Sequence, residues 1–264
     1  MDQIRDLGGR RAVVCGSTQG IGRASARLIA ERGASVVLVA RNASSLEAVL
    51  KSLSTSEGQT HHALAADFGD VEQLRTKMEA HVREFGPFEI LVNNTGGPKG
   101  GPLAAATTAA LLEAVTHHLL ASHVLLQTLL PGMTEAGYGR VINITSTSVV
   151  APIPGLGVSN TVRAAMSNWA RTLAYELGPL GITVNGVLPG FTDTQRLRSL
   201  IQARADREGR TPEEVSATWK ESTPLRRFAS PDEIAQAVAF LASPAASYIS
   251  GVNLPVDGGR TAAQ

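Results

Sequence analysis

Ala12-Val13-Val14-Cys15-Gly16-Ser17-Thr18-Gln19-Gly20-Ile21-Gly22 decides the fold of this 264-residue chain. An apolar run enters a turn carrying three glycines, and a helical pattern over residues 21–32 follows at once. Glycines let such a turn tighten and let backbone N–H groups approach a ligand. The N-terminus of the following helix then favours a phosphate. A glycine turn alone also suits any strand-to-helix junction, so its neighbours carry the weight.

Working outward, short β-rich runs alternate with longer helical patterns. Strands are expected at 12–15, 36–40, 62–65, 90–93, 141–145, 183–188 and 252–256, and helices at 21–32, 44–53, 71–85, 109–134 and 162–177. Strand–helix alternation implies parallel strands joined by crossover helices. Near-continuous apolar strands imply a sheet covered on both faces. The expected fold class is α/β, one domain over residues 1–264. A charged, helical segment at 192–228 stands apart, with Thr211-Pro212-Glu213-Glu214 as a helix start. Near the strand ends such an insertion is expected to serve as a substrate loop.

Composition narrows the classes. With 43% hydrophobic and 18% charged residues, the chain can bury a large core. Net charge is +1, so no electrostatic footprint points to nucleic acid or a membrane surface. Cys15 is the single cysteine, which excludes an internal disulfide framework and a cysteine-rich metal site, and it reads as a buried inert thiol. Residues 1–11 are polar and charged, unlike a signal peptide, and no stretch reads as long and uncharged enough to span a bilayer. A cytoplasmic location is expected.

At the end of the second strand, an NAD site places an acid on the ribose hydroxyls. Here the sequence is Val39-Ala40-Arg41-Asn42, without an acid. Arg41 suits a 2′-phosphate through a two-pronged contact, so NADP(H) is expected over NAD(H). A solvated residue at a helix start is the alternative reading of Arg41.

The glycine spacing, with Asp67 after the third strand, resembles the short-chain dehydrogenase/reductase family. Asn93-Asn94-Thr95-Gly96 resembles its N-N-A-G, and Asn143-Ile144-Thr145-Ser146 its serine-bearing strand end. Ile182-Thr183-Val184-Asn185 with Pro189-Gly190 through Thr194, and Val256-Asp257-Gly258-Gly259, resemble its later motifs. They occur in family order over nearly the whole chain and are most similar to 3-oxoacyl-carrier-protein reductase-like members. The resemblance implies a single-domain Rossmann fold with a seven-stranded parallel sheet. It implies cofactor contacts from Gly16, Ser17, Thr18, Gly20, Ile21, Gly22, Gly96, Pro189 and Gly190. It also implies Asp67 near the adenine, Asn93 near the adenosine ribose and Thr194 near the nicotinamide. The long helices resemble the family's pairing helices, which implies a homodimer or homotetramer.

In that family a serine and a tyrosine hold the carbonyl, the tyrosine gives the proton, a lysine binds the nicotinamide ribose, and an asparagine completes a water relay. The serine matches Ser146. Thirteen residues later, where the tyrosine is implied, stands Ser159, and four further on, where the lysine is implied, stands Arg163. The asparagine position, counted back from Leu129-Leu130-Pro131, holds His118. The i, i+4 spacing puts residues 159 and 163 on one helix face. The expected active-site set is therefore Ser146, Ser159, Arg163 and His118.

The replacement changes the chemistry. A phenol titrates near ~10, and an alkyl hydroxyl near water's ~15.7. That gap corresponds to about 7–8 kcal/mol of proton-donor driving force. A guanidinium cannot relay a proton but can donate to ribose hydroxyls, polarise a carbonyl or bind a carboxylate. His118, with an ordinary imidazole near ~6.5, is the expected general acid, against a packed or water-holding histidine as the plainer reading. Ser159 also suits a capping role at its helix start.

Two loops flank this end. Residues 96–102, mostly glycine and proline, leave space, and residues 152–156 form an apolar wall. Arg196, Arg198, Arg204, Arg207 and Arg210 crowd the insertion. Interleaved acids favour a solvated helix face over an anion site. The function expected is NADP(H)-dependent hydride transfer to or from a small-molecule carbonyl or alcohol. A nucleotide-binding protein without turnover, and a lyase or isomerase on the same fold, are the alternatives. No metal is expected.

Overall fold

Val, Ile and Ala dominate the strands because side chains covered by helices on both faces gain most from burial, about 1.5–3 kcal/mol for a fully buried Val, Leu or Ile. A computed structural model describes residues 5–262. It contains β1 (Arg11–Cys15), α1 (Gly20–Glu31), β2 (Ser35–Ala40), α2 (Ala43–Leu50), β3 (His62–Ala65), α3 (Val71–Phe85) and β4 (Ile90–Asn93). These are followed by α4 (Thr108–Val115), α5 (Ala121–Glu135), β5 (Gly139–Ile144), α6 (Gly157–Leu177), β6 (Ile182–Pro189), α7 (Gln195–Glu208), α8 (Pro212–Glu221), α9 (Pro231–Ala242) and β7 (Asn253–Val256).

The seven strands form one sheet in the order β3-β2-β1-β4-β5-β6-β7, every pairing parallel. The expected single-domain α/β fold is what the chain adopts. The strand order reverses between β1 and β4, and the crevice outside their C-terminal ends is where such sheets bind ligands. Alternation along β1 divides the core. Ala12 and Val14 pack with Ile29 of α1 and Val238 of α9, while Val13 and Cys15 pack with Met78 of α3 and Leu125 of α5.

Two helices depart from expectation. The pattern over 109–134 folds as α4, a π turn (Thr116–Leu120) and α5. Taken as one stretch, Thr108–Glu135 is long and apolar enough to cross a bilayer, contrary to the sequence reading. Its apolar face is committed elsewhere: Leu125, Leu126, Leu129 and Met133 are buried in the core beside α3 and the sheet. The last long helix begins at Gly157, five residues before the expected start, so Ser159 lies inside its first turn.

The segment 192–228 is held at its base by Asp193 N–H donating to Ala229 O (2.8 Å) and Ala229 N–H donating to Phe191 O (2.9 Å). Leu197, Ile201, Ala205 and Val215 form its own small core. Phe191 stacks on Trp219 beneath it, ring centroids 4.7 Å apart.

Candidate active site

The glycine turn is built on close backbone approach. Gly16 and Gly20 adopt φ of +58° and +53°, the left-handed region that favours glycine. A Cβ on Gly22 would lie 2.2 Å from Gly16 O and 2.6 Å from Asn94 Nδ2. Asn94 laces the end of β4 to this turn, its Nδ2 donating to Cys15 O (3.2 Å) and Gly16 O (3.3 Å). The first turn of α1 has no capping side chain and no acid, so its N–H groups remain available to an anion. Ser17 is fully buried with Oγ unpartnered, and Thr18 and Ile21 are half-buried on the turn. Burial pushes the Cys15 thiol up to about 12, so it is inert at neutral pH.

The structure places the other residues expected to meet a nucleotide as follows. Arg41 is exposed at the end of β2, and Asn42 caps α2 by accepting from Ser45 N–H (2.8 Å). Asp67 is exposed and accepts from Gly69 N–H (2.9 Å). Thr194 faces the turn from the start of α7: a Cβ on Gly20 would meet its methyl at 3.1 Å. Its hydroxyl accepts from Leu197 N–H (3.3 Å) as the cap of α7 and donates to Thr192 O (3.2 Å). Pro189 ends β6, and Gly190 packs closely on the Asp257 backbone. Gly96 is exposed with open space beside it. Asn93 turns inward instead. Its Nδ2 donates to Asn143 Oδ1 (2.9 Å), Asn143 Nδ2 donates to Asn185 O (3.3 Å), and Asn185 Nδ2 donates to Ile249 O (2.8 Å). The Asn93 side-chain amide is thus turned into the sheet, with its Nδ2 committed to Asn143.

The chemical end gathers at β5. Ser146 accepts from Ser148 N–H (3.1 Å), capping a short 3₁₀ turn, which leaves its O–H to donate. Arg163 Nη1 donates to Ile144 O (2.7 Å), two residues before Ser146. Burial and the nearby Arg196 cation lower Arg163 to about 10, so it stays charged at neutral pH. Ser159 is half-buried one turn earlier on the same helix face and caps nothing, because the cap position is Leu156.

His118 sits in the π turn, 3% exposed, with Nδ1 sharing a hydrogen bond with Thr95 Oγ1. Burial, then Arg163, His117 and Arg196, drive its imidazole down to about 2. A ring neutral at pH 7 is not an imidazolium acid, which corrects the expectation drawn from an unperturbed histidine. None of the three tyrosines replaces it. Tyr138 donates to Ala242 O (2.7 Å) between the Arg10 and Arg140 guanidiniums, and Tyr175 and Tyr248 are exposed on the surface.

The flanking loops are joined. Gly101 N–H donates to Gly155 O (2.7 Å), and Gly157 N–H donates to Gly101 O (3.1 Å). The 192–228 segment reaches the first loop, where Arg196 Nη2 donates to Pro98 O (2.6 Å) and the guanidinium lies against Gly97. This arginine was indistinguishable from its neighbours in sequence. The others find acids on their own segment: Arg198 with Asp193 (3.0 Å), and Arg204, Arg207 and Arg210 with Glu208 (2.7, 3.6 and 3.4 Å). Among the described residues no cluster of potential ligands suits a metal ion.

A doubly wound parallel sheet, an uncapped glycine turn at its switch point and a serine–arginine pair at the end of β5 define a dinucleotide-fold oxidoreductase. Residues 16–261 match the family model described as Enoyl-(Acyl carrier protein) reductase. The chain belongs to the short-chain dehydrogenase/reductase family. It is 35% identical over 259 residues to a cis-4-hydroxycyclohexanecarboxylate dehydrogenase of Sinomonas cyclohexanicum, covering 96% of this chain and 97% of that protein. It is 34% identical over 256 residues to a 3-oxoacyl-[acyl-carrier-protein] reductase of Vibrio cholerae, covering 96% and 98%. The L-sorbose reductase of Gluconobacter frateurii, solved with NADPH and L-sorbose, superposes with a TM-score of 0.91 at 30% identity, covering 99% of this chain and all of that one.

Proposed function

We propose that this protein is an NADP(H)-dependent oxidoreductase that interconverts a small carbonyl compound and its alcohol with a serine–arginine site. The observation that carries this reading is Arg163 tied to Ile144 O, which anchors a cation at the end of β5, two residues before Ser146. The residues present fit a nicotinamide dinucleotide. The uncapped α1 N-terminus and glycine turn receive the pyrophosphate, and the unpartnered Ser17 Oγ lies in that turn. Arg41 pairs with a 2′-phosphate, and Asp67 borders the adenine. The NADPH complex of the sorbose reductase supports the same assignment.

When bound, the nicotinamide supplies or accepts a hydride, two electrons with one proton. The chain's own residues do the rest. Ser146 O–H donates to the substrate oxygen, and Ser159 adds a second donor from the helix face above Arg163. The Arg163 cation stabilises negative charge developing on that oxygen, replacing part of the stabilisation a strong proton donor would give. The proton comes from water. His118, neutral, holds Thr95 and the loop after β4 in place rather than titrating. The 192–228 segment covers the substrate side.

The test is turnover: full-length protein, NADPH and a panel of ketones and aldehydes, followed by loss of NADPH absorbance. Turnover with at least one carbonyl is expected. Ser146→Ala should lower kcat by about 10²–10³, the usual cost of removing one such donor. Tight NADPH binding with no turnover across the panel overturns the reading.

A further inference from the structure

Arg196 differs from its neighbours in having no acid. Four arginines of the same segment are neutralised by Asp193 or Glu208, as a solvated face requires. Arg196 is half-buried, and its described contact is the neutral carbonyl of Pro98. Arg163 is likewise held by a neutral carbonyl, that of Ile144. Among the described residues neither guanidinium has a carboxylate within salt-bridge distance. Burial lowers the pKa of both guanidiniums, and each is held by a backbone carbonyl rather than by an acid. A half-buried cation with no acid beside it gains from a bound anion that neutralises it.

Position says which anion. Arg196 reaches across to the Gly97–Pro98 loop just after β4, and Arg163 is anchored on Ile144 O at the end of β5, two residues before Ser146 in sequence. Both therefore belong to the chemical end of the cleft, whereas the phosphate-binding turn is Gly16–Gly22 at the head of α1. Each guanidinium has a nitrogen committed to a backbone oxygen and further N–H donors left over, in the planar fork that matches a carboxylate.

We infer that the substrate is a carbonyl compound bearing a carboxylate, and that Arg196 receives that carboxylate at the mouth of the cleft. The inference rests on the reading of this cleft as a carbonyl reductase site. The reaction balances as NADPH plus oxo acid plus one proton from water giving NADP⁺ plus hydroxy acid. The carboxylate keeps its charge throughout and serves to hold the carbonyl against Ser146. Arg196 is a specificity-determining residue whose loss should raise KM for acids more than it lowers kcat.

The experiment compares small cyclic and linear oxo acids with their methyl esters, their amides and phosphorylated carbonyls of similar size. It uses the full-length protein with NADPH and its Arg196→Leu and Arg196→Lys variants. The expected result is kcat/KM at least 100-fold higher for an acid than for its ester. That ratio should fall by about 10–100-fold in Arg196→Leu through KM, the range for losing a charge-assisted hydrogen bond. It should recover partly in Arg196→Lys, with NADPH affinity unchanged in both. Equal turnover of acid and ester overturns the inference while leaving the reductase reading intact, and so does preference for the phosphorylated carbonyls. Reduced NADPH affinity in Arg196→Leu with acid preference unchanged also overturns it, by assigning Arg196 to the cofactor. If no carbonyl is turned over, calorimetric titration of the NADPH complex with cyclohexanecarboxylate and its amide decides separately. Binding of the acid alone, lost in Arg196→Leu, supports the anion site, and no binding of either overturns it.

Discussion

Thr95 and His118 meet through one hydrogen bond, the threonine hydroxyl on Nδ1 of an imidazole that is almost wholly buried. The contact joins the turn after β4 to the π turn between α4 and α5. His118 is neutral in the folded protein, its pKa lowered to about 2 by burial and by Arg163. The unfolded chain protonates this ring near ~6.5. Its stability contribution is therefore complete above that pH and declines as pH falls below it, because the unfolded state then binds the extra proton. Urea denaturation between pH 7 and 5 should show the wild type losing about 2 kcal/mol more than His118→Asn. The kcat/KM profile should carry no break near ~6.5 belonging to this residue.

Arg163→Met removes the charge beside Ser146 and leaves Ile144 O without its donor. NADPH affinity should fall by about 10–100-fold, as for loss of charge-assisted hydrogen bonds. Arg163→Lys should retain part of it, since the charge survives and the fork does not. Fluorescence titration of NADPH measures both, with circular dichroism confirming the fold.

Arg41→Ala should weaken NADPH by about 10–100-fold and leave NADH nearly unchanged, because a 2′-phosphate is the one group that separates the two cofactors. The residue is exposed, so the melting temperature should not move.

Gly22→Ala sets a Cβ 2.2 Å from the Gly16 carbonyl, a backbone group that cannot swing away. The turn must open to admit it, at a cost of about 1–3 kcal/mol. A lowered melting temperature with NADPH binding lost is the expected outcome. Ala24→Gly, two residues further into α1, should cost about 1 kcal/mol and keep binding.

The strands and the glycine turn were legible in the sequence because each depends on local pattern. The residues of β3, β4 and α3 match the expected bounds, and Gly16–Gly22 announces its turn through residue type alone. The π turn was not legible. Thr116-His117-His118 continues an apolar helical rhythm, and the extra residue in the turn is fixed by packing, with Ser122 Oγ donating to His118 O (2.6 Å). The start of α6 was missed because glycine is a poor helix former, whereas Gly157 fits closely against the Leu103 backbone, where a Cβ would come within 2.5 Å. His118 was misjudged because an imidazole's titration depends on which cations pack near it. Arg196 was hidden among similar arginines, because acids close in sequence to all of them prove close in space to only some.

The asparagines crossing β4, β5 and β6 form a row in which each buried amide holds the next strand. Deleting one leaves its neighbour's donor or acceptor stranded in a place water cannot reach. Such a row resists change one member at a time, so the ends of β4, β5 and β6 are held in register by side chains as well as by the backbone ladder.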